Sequence, residues 1–149
     1  MVRNFGVLLA AHGSLAQSAL ESLSMLTGAQ EGIETVALFP GMGREELRAA
    51  MEEKLAILKG YESVLIVTDL LSGTPNTVAA ELVAERPELQ LVSGANMAFL
   101  CELAAAEKLD ETTLAGLLEA GQAGMQDFGT KLRFLCEKER SALPSADDL

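Results

Sequence analysis

Two short runs in this chain are apolar at every position: Val7-Leu8-Leu9-Ala10-Ala11 and Val64-Leu65-Ile66-Val67. A strand with one wet face alternates apolar and polar residues, so an unbroken run of this length reads as a strand covered on both sides. Segments with helical spacing lie between and after these runs. Strands covered on both faces, separated by helices, make a parallel sheet with crossover helices.

The elements follow in order. Phe5 to Ala11 is the first strand. Leu15 to Thr27 is a helix with Leu15, Ala19, Leu23 and Leu26 on one face, Ser14 as its N-cap and Gly28 as its stop. Ile33 to Leu38 is β-rich, and the turn Phe39-Pro40-Gly41-Met42-Gly43 leads to an amphipathic helix over Arg44 to Lys59. Ser63 to Thr68 is the third strand, and Pro75 suits the first turn of a helix reaching Glu85, with Thr74 as its N-cap. Leu89 to Ser93 is a fourth, short strand, followed by helices over Asn96 to Lys108 and Thr112 to Gln126. Lys131 to Cys136 is open between an edge strand and a last helical turn. The expected fold class is therefore α/β: a doubly wound, mostly parallel four-stranded sheet in the order 2-1-3-4, with helices on both faces and room for a C-terminal antiparallel edge strand. One domain is expected over residues 1–138, with a polar, frayed tail over 139–149.

A net charge of −11 argues against nucleic acid and anionic membrane as partners. Cys101 and Cys136 sit in apolar surroundings far apart in sequence and read as buried free thiols of a reducing compartment. With one histidine and no Cys-x-x-Cys, no metal site and no cofactor are expected. Arg3 followed by Phe5 to Ala11 imitates a signal peptide, but the apolar stretch is short and ends in His-Gly-Ser. Cytoplasmic placement is the expectation.

In the order 2-1-3-4 the switch point falls between strands one and three, where open α/β sheets collect ligands. The loops meeting there are Ala11-His12-Gly13-Ser14 and Asp69 to Thr74. His12, the only histidine, ends the first strand, and Asp69 directly follows the third. A carboxylate that holds one imidazole nitrogen as N–H leaves the other with an oriented lone pair. The helix N-termini after Ser14 and Thr74 aim open N–H groups and positive dipole ends at the same place. Gly13, Ser14, Ser72 and Gly73 add close backbone approach and hydroxyls, so they are the candidate phosphate cradle. A phosphohistidine carrier is one coherent outcome. A flavodoxin-like small-molecule module would use the same crevice, but the chain lacks Trp and has a single Tyr61 to stack on a ring. A serine hydrolase lacks the Gly-x-Ser-x-Gly elbow. A nucleotide-dependent kinase lacks the Gly-x-x-x-x-Gly-Lys-Ser/Thr loop, so no use of ATP is expected.

Three blocks carry a resemblance: Gly6-Val7-Leu8-Leu9-Ala10-Ala11-His12-Gly13-Ser14-Leu15-Ala16, Thr68 to Asn76, and Val92-Ser93-Gly94-Ala95-Asn96-Met97. In order and spacing they resemble the EIIA component of the mannose/fructose/sorbose-type bacterial phosphotransferase system, over residues 5–130. The resemblance implies a doubly wound fold, a homodimer, and a phosphotransferase whose histidine takes a phosphoryl group from phospho-HPr and gives it to an EIIB component. Contact with the membrane would be only indirect, through EIIC and EIID. It makes His12 the phosphorylated residue, on Nε2, and Asp69 the partner of Nδ1–H. Thr74 stands where the family usually has a serine that hydrogen-bonds the phosphoryl group. The family loop commonly reads Asp-Leu-Phe-Gly-Gly-Ser-Pro, so Leu71 and Ser72 depart from it, as do Asn76-Thr77 in place of a Phe-Asn pair. Related readings within the same chemistry are a subunit serving dihydroxyacetone kinase and a regulatory phosphocarrier.

Overall fold

The computed structural model describes residues 2–145. Its strands are β1 (Phe5–His12), β2 (Ile33–Leu38), β3 (Ser63–Thr68) and β4 (Leu89–Ser93). Its helices are α1 (Leu15–Thr27), α2 (Arg44–Ile57), α3 (Thr74–Glu85), α4 (Met97–Ala105), α5 (Glu111–Ala123) and α6 (Phe128–Ala142). The sheet runs β2-β1-β3-β4 and all three pairings are parallel, as the sequence implies.

The period-two geometry of a strand divides each apolar run between two cores. Val7, Leu9, Ala11, Leu65 and Val67 face α1, α4 and α5, where they meet Leu23, Phe99, Leu103 and Leu117. Leu8, Ala10, Val64 and Ile66 face α2 and α3, where they meet Leu47, Met51, Val78 and Leu82. β1 and β3 lie side by side at the centre, with Ala10 opposite Thr68, so their carboxyl ends open at one place.

One open reading is decided and four expectations change. Residues 131–136 belong to α6, and no antiparallel edge strand forms among the described residues. Asp127 caps that helix by accepting from the Thr130 N–H, and its apolar residues recur at Phe128, Leu132 and Leu135, a helical spacing. The buried stripe of α1 is Ala16 and Leu23, with Ala19 and Leu20 beside them, while Leu15 and Leu26 are exposed. Extended backbone falls on Gly73, so Gly73 is the cap of α3 and Thr74 its first helical residue. Cys136 lies exposed on α6 and Cys101 is half-buried; both are free thiols. α6 continues past residue 139 to Ala142, and the last part of the tail, 146–149, lies outside the described residues. No helix among the described residues is long and apolar enough to cross a membrane.

Candidate functional site

His12 is held by one carboxylate oxygen in two ways. Asp69 Oδ2 accepts the His12 backbone N–H at 3.0 Å and lies 2.8 Å from the ring Nδ1. The Asp69 side chain is 14% exposed and the His12 side chain 45%. Burial works to raise the Asp69 pKa, but the hydrogen bonds and charge of His12 outweigh it and hold the carboxyl below its ordinary value. An ionised carboxylate only accepts, so Nδ1 carries the proton and Nε2 keeps its lone pair. The other oxygen, Asp69 Oδ1, is buried without a protein partner.

Gly13 turns the chain out of β1 with a φ of 58°, a conformation suited to glycine. Its N–H donates to the Leu38 carbonyl at 2.8 Å, so it is not an open donor. Ser14 follows as the residue before α1 and makes no side-chain cap bond. Across the crevice, the Gly73 N–H donates to the Leu70 carbonyl at 3.1 Å, and no side chain caps α3. Asn96, Asp110 and Asp127 cap α4, α5 and α6, and α2, which has no side-chain cap, carries Glu45 and Glu46 in its first turn. The two helices that begin beside His12 therefore keep open first-turn amides and carry no acidic residue there. Ser72 and Thr74 are exposed at the same rim. The structure thus brings His12, Asp69 and Gly73 together at one strand end, with Ser14, Ser72 and Thr74 exposed on the adjoining chain.

Gly73 has a steric role that composition alone does not reveal. A Cβ at this position would stand 2.7 Å from His12 Cε1. Its φ of −85° is ordinary, so contact with the ring, not backbone freedom, excludes a side chain. Gly73→Ala is expected to turn the ring off Asp69 while preserving the fold. Losing a hydrogen bond to a charged group, about 1.5–3 kcal/mol, corresponds to a roughly ten- to hundredfold slower reaction at His12. The ring's chemical shifts and the rate of modification at Nε2 measure it; unchanged values would show that the ring adapts freely.

Sequence reading treats Thr68 only as the last residue of a strand and Asn76 only as a helix residue. Thr68 is in fact a buried polar residue, 1% exposed, and it contacts both Asn76 and Ser93. The available signal was a hydroxyl ending an otherwise apolar run. Tyr61 packs against Gly6 and Gly32, away from the crevice. No cluster of His, Cys, Asp and Glu that could hold a metal ion occurs among the described residues.

Comparisons with known proteins agree on one family. The family model described as PTS system fructose IIA component matches residues 6–121. The PTS system mannose-specific EIIAB component of Escherichia coli K12 is 27% identical over 128 residues, 84% of this chain and 40% of that protein. This chain thus spans about two fifths of that relative's length. The sorbose-specific EIIA component of Klebsiella pneumoniae is 32% identical over 93 residues, 62% of this chain and 67% of that one. Among solved structures, the PTS IIA protein associated with the fucose utilization operon of Streptococcus pneumoniae superposes with a TM-score of 0.79 at 26% identity, covering 88% of this chain and 98% of that one. The matched span contains His12, Asp69 and both open helix ends, and the chain belongs to the mannose/fructose/sorbose type of EIIA component of the bacterial phosphotransferase system.

Proposed function

We propose that the protein is a cytoplasmic phosphocarrier that takes a phosphoryl group from phospho-HPr on His12 Nε2 and passes it to an EIIB component for sugar uptake. The Nε2 lone pair attacks phosphorus in line as the bond to the donor atom breaks, its electron pair leaving with the donor. Asp69 keeps the proton on Nδ1 and offsets the positive charge that grows on the ring. Open amides of α1 and α3, with the Thr74 hydroxyl, receive the phosphoryl oxygens. Ser14 and Ser72 add hydroxyls at the rim, and Gly13 and Gly73 let the backbone come close. Transfer to EIIB is the same displacement in reverse.

The observation that carries this reading is the ionised Asp69 on Nδ1 of a half-exposed histidine, set between two uncapped helix ends. Leu15 at the start of α1 and Leu70 and Leu71 after β3 are exposed, and Phe39 is exposed directly after Leu38, the strand partner of His12. An apolar rim around an open reactive nitrogen suits a protein donor more than a free metabolite. Incubation with phosphoenolpyruvate, enzyme I and HPr should add one phosphoryl group per chain, acid-labile and base-stable, seen by intact mass. No label, or an acid-stable one, overturns the proposal.

The homodimer implied by the family has a surface suited to it. Every described residue of α6 is exposed, and Phe128, Leu132 and Leu135 form an apolar stripe that packs on neither core. Within α6, Lys131, Arg133, Lys138 and Arg140 outnumber Glu137 and Glu139, whereas residues 1–127 hold seven Lys and Arg against eighteen Asp and Glu. A basic amphipathic helix on an acidic body complements a second copy of that body. Light scattering should give a dimer mass for the full chain and a monomer for Leu135→Glu. A monomeric full chain, or a variant that stays dimeric, excludes this interface.

A further inference from the structure

The loop that walls His12 is tied down by a line of side-chain hydrogen bonds reaching to the far strand. Thr68 Oγ1 lies 2.9 Å from Asn76 Oδ1 and 2.9 Å from Ser93 Oγ. The Asn76 Nδ2 donates to the Leu71 carbonyl at 3.0 Å. That carbonyl can only accept, which fixes the amide of Asn76 and leaves its Oδ1 as an acceptor toward Thr68. Thr68 has one hydroxyl proton, so it donates to Asn76 and must accept from Ser93. The line therefore runs in one direction: Ser93 to Thr68 to Asn76 to the Leu71 carbonyl. The Gly94 N–H, donating to the Thr68 carbonyl at 2.9 Å, binds the same strand end from behind.

Its position is the reason it matters. Leu71 sits within the turn closed by the Gly73 N–H to the Leu70 carbonyl, and Gly73 is the residue laid against the His12 ring. Asn76 is also in the first turn of α3, which has no side-chain cap and begins directly after Gly73. Thr68 is 1% exposed, so water does not replace its partners if they are lost.

We propose that Thr68 and Asn76 are positioning residues: with Ser93 they set where the Gly73 wall and the α3 amides stand relative to His12 Nε2. The consequence for phosphoryl transfer rests on the phosphocarrier reading above; the placement of the ring does not. Neither residue touches the reacting atoms. Their removal is expected to slow the step after the donor has docked, without weakening docking itself.

The test compares Thr68→Val, Thr68→Ser and Asn76→Ala in the full chain, each checked for native circular dichroism. Thr68→Val keeps the shape and removes the hydroxyl; Thr68→Ser keeps the hydroxyl. With phospho-HPr as donor, Thr68→Val and Asn76→Ala should lower kcat about tenfold with KM within about twofold, and Thr68→Ser should restore the rate. In parallel, the His12 ring signals in NMR of the unphosphorylated protein should shift in Thr68→Val and Asn76→Ala and return in Thr68→Ser. Asn76→Ala, at a part-exposed helix position, decides the matter if Thr68→Val fails to fold. Unmoved ring signals in Asn76→Ala, or equal effects of Ser and Val at position 68, overturn the proposal. A wild-type chain that takes no phosphoryl group overturns the phosphocarrier reading alone, and the ring signals then decide the positioning role.

Discussion

His12→Gln should leave the chain without phosphate under conditions that fully label the wild type. Glutamine offers an amide in place of the imidazole and has no lone pair nucleophilic enough to take a phosphoryl group. The loss should be complete within detection, since His12 is the only histidine and the hydroxyls of Ser14, Ser72 and Thr74 are far weaker nucleophiles than an imidazole. The fold should persist, because the side chain is 45% exposed and leaves no cavity in either core. Intact-mass measurement with the HPr system reads the result. Label that survives in His12→Gln would assign the acceptor elsewhere.

Asp69→Asn should slow phosphoryl acceptance by about a hundredfold, the upper end of the effect of removing an outer partner of a reactive imidazole. Two geometries are open to the new amide, and both are poor. With its oxygen kept toward His12, the NH2 group enters the buried position where Asp69 Oδ1 has no protein partner. With the amide flipped, NH2 faces the His12 backbone N–H, and the ring is driven to the tautomer that spends the Nε2 lone pair. Neither form carries the negative charge that offsets the imidazolium. A transfer rate within twofold of wild type would reduce Asp69 to a loop anchor. The same carboxylate gives a pH dependence. Its folded pKa is depressed, so its contribution to stability is complete above the unfolded value near 3.9 and is lost as pH falls through the lower folded value. Asp69→Asn should flatten that acid limb of the unfolding curve, read as the urea midpoint against pH.

The strands were legible because burial on two faces writes itself into composition: β2, β3 and β4 have the bounds read from sequence, and β1 gains only His12. The pairing of His12 with Asp69 was legible because topology dictates which strand ends adjoin. The buried face of α1 includes Ala19 and Leu23 as read, but its ends differ: Ala16 packs inward where the larger Leu15 is exposed, and Leu26 is exposed as well. Residues 131–136 were ambiguous because Leu132, Phe134 and Cys136 also alternate with the period of a strand. The contact of Gly73 with the His12 ring was not legible, and of the Thr68–Asn76–Ser93 line only the hydroxyl ending an apolar run was. They depend on distances between side chains far apart along the chain, and periodicity carries no such information.

The two donors to Asp69 come from a residue 57 positions earlier. During synthesis, the strand bearing His12 leaves the ribosome before β3, and its imidazole has no tautomer-fixing partner until β3 has docked beside β1. An unfinished or unfolded chain thus carries the histidine without the ring geometry that makes it reactive. Phosphate uptake, measured as a burst amplitude, would therefore count native molecules in a mixture, and loss of that amplitude on mild heating would report separation of the two central strands.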